Sequence, residues 1–177
     1  MAFDFDPKFG LIMAGGSETK PGIRESHTDY VHISRDGGLT FEQLAALPTG
    51  PDYYADIFWI DEKTVFYLPQ KDGFRKAFYL LDLETNTWKS GHKLKYGRNG
   101  EHVGIITLAS GEKEIHFVGG WVKTEPLPAD AQDCKSRCGK HYTKSVEIYN
   151  IATDTMREGM YRVVKKLLSG CVNLRIS

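Results

Sequence analysis

Apolar residues along this chain fall in short, dense clusters separated by polar turns, not in a helical stripe. Val65-Phe66-Tyr67-Leu68, Ala77-Phe78-Tyr79-Leu80-Leu81 and Ile115-His116-Phe117-Val118 are β-branched or aromatic and end in turn-like segments. Runs that short do not make helices, and their make-up suits strands buried on both faces. Between the clusters stand Asp36-Gly37-Gly38, Asp72-Gly73, Asn99-Gly100 and Ser110-Gly111, residue pairs that punctuate hairpins. Over residues 1–158 only Phe41 to Leu47 carries a weak 3.6-residue period. The pattern predicts an all-β body of short antiparallel strands, and therefore a sandwich, a barrel or a propeller.

An internal repeat decides between these. Leu81-Asp82-Leu83-Glu84-Thr85-Asn86-Thr87-Trp88 aligns without gaps on Tyr149-Asn150-Ile151-Ala152-Thr153-Asp154-Thr155-Met156. Each copy reads as the end of one strand, a polar turn and the large apolar residue opening the next strand. A looser copy runs from Tyr30 through a turn at Ser34–Leu39 to Phe41. Ile12-Met13-Ala14-Gly15-Gly16 likewise returns as Phe117-Val118-Gly119-Gly120, and Gly16 stands 104 residues from Gly120, twice 52. A period near 50 residues is the size of a four-stranded propeller blade.

With these landmarks the sequence resembles the kelch family of β-propellers, whose blades carry a second strand ending in Gly-Gly, a third strand with a Tyr, and a Trp after the following turn. The resemblance implies blades at 1–47 (Gly15, Gly16, Tyr30, Phe41), 53–94 (Tyr79, Trp88) and 101–159 (Gly119, Gly120, Tyr149, Met156). Two positions depart from it: Leu68-Pro69-Gln70 stands where the second blade's double glycine belongs, and Met156 replaces a Trp. The tail 160–177 leaves the repeat. Its Tyr161, Val164, Leu167 and Leu168 have the spacing of a short amphipathic helix, with a degenerate strand as the alternative. Closed propellers have typically 4–8 blades, so about three imply a partial propeller whose open blade edges invite self-association. A longer parent protein is the expected source.

Ser34-Arg35-Asp36-Gly37-Gly38-Leu39-Thr40-Phe41 fits S-x-D-x-G-x-T-aromatic and resembles the Asp box of sialidase-type propellers. An Asp accepts N–H groups across its own turn and a glycine supplies positive φ. Ser34, Asp36, Gly38 and Thr40 are therefore expected to build a structural turn, with Phe41 pinning the hairpin to the core. A catalytic or Ca²⁺ role is disfavoured, because one carboxylate makes a poor site for a hard cation.

The third repeat holds a 25-residue insertion, Trp121 to Ser145, with Pro126, Pro128, Cys134 and Cys138. Long inserts in compact domains are functional or disordered. Cys134 and Cys138 read as incidental thiols on a surface loop, as a short disulfide implying an oxidising compartment, or, least well, as part of a zinc site that lacks a fourth ligand. Lys135, Arg137, Lys140 and Lys144 give residues 134–144 four basic side chains and no acidic one. With Trp121 at its start, the segment reads either as a contact surface for an acidic protein partner or as a solvated insert with no partner.

Overall charge changes little in this picture. Lys plus Arg and Asp plus Glu both number 23, so nothing suggests a general grip on nucleic acid or anionic lipid. The longest clean apolar stretches, such as Val103–Ile106, are too short to span a bilayer, and no basic-then-apolar leader opens the chain. A soluble protein is expected, extracellular if Cys134 and Cys138 are bridged and otherwise cytoplasmic. No nucleophile elbow, zinc-protease helix, phosphate loop or dinucleotide fingerprint occurs, so no catalytic residue, cofactor or metal is assigned. His32 and His116 sit within strand patterns and read as structural. A non-catalytic protein-interaction module is the first reading. A fragment of a carbohydrate-active propeller enzyme, sialidase-like or galactose-oxidase-like, is the alternative.

Overall fold

In the computed structural model, residues 1–18, 26–52, 55–69, 76–99, 101–123, 127–133, 141–159 and 175–176 are described. The chain forms two compact units, Met1–Asp72 with Ala77–Gly91, and Gly73–Lys76 with His92–Ser177. Every described element is a strand, and every pairing between strands is antiparallel. The protein is all-β.

The first unit contains strands β1 (Ala2–Asp6), β2 (Gly10–Ala14), β3 (Ser17–Glu18), β4 (Ser26–His27), β5 (Val31–Ser34) and β6 (Glu42–Gln43). β1, β2, β5 and β6 pair in that order as one four-stranded sheet, and β3 pairs with β4 as a hairpin inserted between β2 and β5. A second sheet follows from β7 (Asp56–Trp59), β8 (Thr64–Leu68), β9 (Tyr79–Asp82) and β10 (Thr87–Ser90), paired sequentially. The period of two dictates the faces. Ile12, Ala14, Val31 and Ile33 point to one side of the first sheet and bury against Ile57, Trp59, Val65, Tyr67 and Leu81 of the second. Asp4 also points inward, where its Oδ2 accepts the Trp59 backbone N–H at 3.0 Å, so the acid is satisfied. Trp59 in turn donates its indole N–H to the Gly10 carbonyl at 3.0 Å. The opposite face of the second sheet is aromatic. Phe66 stacks on Phe58 at 4.4 Å and on Phe78 at 5.6 Å between ring centroids.

The second unit contains β11 (Arg98–Asn99), β12 (His102–Thr107), β13 (Lys113–Val118), β14 (Trp121–Val122), β15 (Gln132–Asp133), β16 (His141–Tyr142), β17 (Val146–Asn150), β18 (Thr155–Gly159) and β19 (Arg175–Ile176). β18, β17, β13, β12 and β19 form a third sheet in that spatial order, while β11, β14, β16 and β15 form a small fourth sheet. With the β3–β4 hairpin, the small sheet and the edge strand β19 set aside, the chain lays down three successive up-and-down meanders of four strands. Each is an open sheet.

The sequence repeat has a common local geometry. Asp82 Oδ1 accepts the N–H groups of Glu84 and Thr85, both at 2.9 Å, and Asn150 Oδ1 accepts that of Thr153 at 3.0 Å. Asn86 and Asp154 then take left-handed φ values of 50° and 53°. Next, Thr85–Thr87 and Thr153–Thr155 hydroxyl pairs brace the returning strands at 2.7 and 2.8 Å. Trp88 comes to lie opposite Leu81, as Met156 lies opposite Tyr149. The double glycines are steric. A Cβ on Gly15 (φ +60°) would sit 2.0 Å from the Asp52 carbonyl oxygen, and one on Gly120 (φ +91°) 2.9 Å from that of Asn99.

Two expectations fare differently. Asn99 is not part of a hairpin turn but pairs with Trp121 in β11, because residues 98–99 are recruited by the insertion. Phe41 does not pin its hairpin to the core: it is 46 % exposed and lies over Gly38 instead. Residues 160–174, where a helix or degenerate strand was expected, and the Asp72-Gly73 turn lie outside the described residues.

Candidate functional site

The turn after β5 is knit by one carboxylate. Asp36 Oδ1 accepts the N–H groups of Leu39 and Thr40, both at 3.0 Å, and the Ser34 hydroxyl at 2.8 Å, while Oδ2 accepts the Thr40 hydroxyl at 2.6 Å. Ser34 Oγ accepts the Gly38 N–H at 2.8 Å, and Gly37 and Gly38 supply φ values of 76° and 94°. The Thr40 hydroxyl and amide, then the Ser34 hydroxyl, hold the Asp36 carboxyl well below the usual carboxylate range. All its near neighbours are donors of its own turn, so the arrangement consumes the carboxylate's acceptors and does structural work.

The insertion is more than a loop. Its ends fold back as β14 and β16, with β15 on one side and Arg98–Asn99 on the other. Register places Asn99, Trp121, Tyr142 and Gln132 in one transverse row across the four strands. The Trp121 and Tyr142 rings meet at 3.8 Å between centroids, and Tyr142 is exposed. At the base, Thr143 donates its N–H to the Gly120 carbonyl at 3.1 Å, and Asp130 accepts the Thr143 hydroxyl and the Lys144 N–H at 2.7 and 2.5 Å.

Beneath this lies a clamp that the sequence did not signal. Arg98 is fully buried and donates from Nε to Glu147 Oε2 at 3.0 Å. Its Nη1 donates to the carbonyls of Gly119 and Ser145 at 2.7 and 3.1 Å, and its Nη2 to the Ser145 hydroxyl at 2.9 Å. Glu147, equally buried, also accepts the Lys95 and Tyr96 N–H groups at 2.6 and 3.4 Å. Gly119 stands two residues before the insertion and Ser145 is its last residue, so one guanidinium ties its neck together. An acid within the apolar run Val146-Glu147-Ile148-Tyr149 was the available hint. A lone Arg98 in a polar stretch gave none.

A second polar set joins buried Glu114 and His116 of β13 to the exposed side chain of Arg157 of β18. Glu114 accepts from Arg157 Nη2 at 2.9 and 3.0 Å on its two oxygens, and His116 Nε2 lies 3.0 Å from Glu114 Oε2. Burial pulls the His116 ring below its ordinary range against the attraction of Glu114. Burial pushes Glu114 up, but Arg157 and then His116 outweigh it and hold the carboxylate low. His116 Nδ1 is buried without a hydrogen-bond partner, so this histidine is only half satisfied.

Of the residues singled out from sequence, Trp121 and Lys144 lie at the two ends of the insertion, while Ser34, Asp36, Gly38 and Thr40 share one turn. Cys134, Lys135, Arg137, Cys138 and Lys140 lie outside the described residues. Among the described residues, no cluster of three or more His, Cys, Asp or Glu is arranged to hold a metal ion. No helix there is long and apolar enough to cross a membrane.

No protein-family profile matches the chain, and no curated protein matches it in sequence. Among solved structures, the structure of YjhT is similar with a TM-score of 0.55 at 13 % identity. The likeness covers 90 % of this chain and 50 % of that one, so the chain spans about half the length of YjhT. At that identity the likeness concerns the fold alone.

Proposed function

We propose that this chain is a run of about three kelch-type β-propeller blades, part of a longer propeller, that serves as a non-catalytic protein-interaction module. Its contact surface is the insertion at 121–145, and its partner an acidic protein segment. Three consecutive four-stranded meanders, two of them with the same Asp/Asn–Thr–Thr turn, support the blade reading. So does a fold match that extends over half of a longer chain.

The observation that carries the function is the clamped neck. A 25-residue insertion held at both ends by a buried guanidinium presents its aromatic pair, Trp121 and Tyr142, from a fixed base. Aromatic side chains give large contact area at low entropic cost, and the basic run Lys135, Arg137, Lys140 and Lys144 supplies attraction to acidic groups.

Affinity capture from source extract tests this. Wild-type protein is expected to retain a partner that is released by raising the salt, and the variant Lys135→Glu, Arg137→Glu, Lys140→Glu, Lys144→Glu to lose it. Retention of the same proteins by that variant overturns the proposal.

A further inference from the structure

The first and third repeats leave their second strand in the same way. In the first, the Gly15 N–H donates to the Tyr30 carbonyl and the Thr28 N–H to the Gly16 carbonyl, both at 2.9 Å. The β3–β4 hairpin then sets Ser17 opposite His27. In the third, the Gly119 N–H donates to the Ser145 carbonyl at 3.0 Å and the Thr143 N–H to the Gly120 carbonyl at 3.1 Å. Here β14 and β16 set Trp121 opposite Tyr142. Trp121 therefore stands where the first repeat has Ser17, and Tyr142 where it has His27. Ser17 and His27 are both exposed. A hairpin of this framework closes with polar residues at the two positions, so closure does not call for the aromatic pair.

The face that carries the rings looks outward. Arg98 and Val122 are fully buried on the opposite side of the small sheet, whereas Tyr142 is 47 % exposed beside an exposed Gln132. Burial alternates past the rings. Val122 and Thr143 are buried, and Lys123 and Lys144 beyond them are exposed. Because β14 and β16 are antiparallel, the two lysines stand on opposite sides of the ring pair along the strands. Two residues' rise on each side puts them about 14 Å apart. Asp130 is the nearby acid, and its oxygens receive the Thr143 hydroxyl and the Lys144 backbone N–H.

We propose that this face takes an acidic segment through a proline. The ring of one proline in a polyproline-type stretch lies on Trp121 and Tyr142, and a carboxylate on either side of it meets Lys123 and Lys144. This rests on the interaction-module reading above and gives its partner a chemistry. The backbone groups of the small sheet pair within it, so a segment crossing the face finds few backbone partners there. Proline has no N–H to leave unpaired, and proline-rich segments dock on aromatic-lined surfaces. Gln132, in the same row, carries an amide donor for a carbonyl that the polyproline conformation leaves without an internal bond. At about 3.1 Å per residue, acids two positions before and two after the proline stand about 12 Å apart, matching the span between the lysines. A neutral glycan would make no use of either lysine.

Calorimetric titration of the 177-residue protein with a capped synthetic peptide bearing Glu-Ala-Pro-Ala-Glu tests this. Saturable binding is expected, weakened at least about tenfold when alanine replaces the peptide's proline. Glutamine in place of both glutamates should weaken it about threefold to tenfold at low ionic strength. These comparisons need no variant of the protein. The double variant Trp121→Ser, Tyr142→His installs the pair that the first repeat carries, so it should keep the wild-type thermal midpoint and lose the peptide. Absence of binding, equal binding of the alanine peptide, retention of the peptide by the double variant, or tighter binding of a neutral oligosaccharide or a single-stranded RNA overturns the proposal. Its failure is separable from that of the module reading. An acidic partner captured from extract that the double variant keeps and the charge-reversed variant loses would uphold the module and overturn the proline contact.

Discussion

The side-chain oxygen of Asn86 accepts the backbone N–H of Ala45 at 2.8 Å, while Trp88, two residues on, donates its indole N–H to the Ala45 carbonyl at 3.2 Å. Both backbone groups of one residue in the segment leaving the first sheet are thus held by the outer hairpin of the second. Asn86 meets Ala45 from a left-handed φ of 50°. The repeat-equivalent Asp154 uses the same conformation to receive the Tyr149 hydroxyl at 2.7 Å and approach His92 at 3.3 Å. The gapless sequence repeat is therefore a repeated docking device as well as a turn.

Substitutions at Asn86 separate its two contributions. Asn86→Gly removes the side-chain hydrogen bond and relieves the backbone, and should cost less than about 1 kcal/mol. Asn86→Ala removes the bond and keeps the left-handed strain, and should cost about 1–2 kcal/mol. Urea unfolding of both variants reads the order. Equal stability of the two, or a more stable alanine variant, contradicts this account.

The Asp36 turn should weaken progressively in acid. Hydrogen bonds from Thr40 and Ser34 lower the Asp36 pKa from 3.8, so the turn's stabilisation is full above that value, declines as pH falls below it and is gone only once pH has passed the depressed folded value. Amide exchange at Leu39 and Thr40, corrected for intrinsic rates, should therefore show constant protection from neutral pH to about pH 5 and a decline below 3.8 that has not levelled off by about pH 3. Protection that stays constant through that range would show that the carboxylate is not held as described.

The strands and this turn were legible because their information is local. Val65–Leu68 and Ile115–Val118 are strands in the structure, since period, β-branching and turn residues all act within a few positions. Ser34, Asp36 and Thr40 meet because the seven consecutive residues from Ser34 to Thr40 close one hydrogen-bonded ring system. Phe41 was misread for the complementary reason: which way a ring turns after a tight turn depends on what packs over it, and here it lies on Gly38. The Arg98 clamp joins positions 98, 119, 145 and 147, which no window of sequence contains together. Asn99 was lost to the same long-range pairing.

Breaking that clamp should be expensive. The Arg98 and Glu147 side chains are 0 % and 3 % exposed, so Arg98→Met strands a buried carboxylate and should cost about 3–5 kcal/mol. The double variant Arg98→Met, Glu147→Leu removes both charges together, and its loss should fall clearly short of the sum of the two single losses. Denaturant unfolding in a double-mutant cycle measures this. Additive losses would mean that the two groups act independently and that the neck is not held by their pairing.

Acid should weaken the second unit through His116. Burial depresses this imidazole below its ordinary 6.5, so between 6.5 and the folded value the unfolded chain binds the extra proton. Stability is accordingly full above 6.5 and declines as pH falls below it. Glu114 adds a second loss lower down, because its carboxylate is held below 4.5 by Arg157 and His116. His116→Gln keeps a polar side chain toward Glu114 but cannot titrate, and should flatten the slope between pH 6.5 and pH 5 while leaving the steeper fall at lower pH. Thermal midpoints across that range decide the matter. An unchanged slope in the variant would assign the acid sensitivity to other groups.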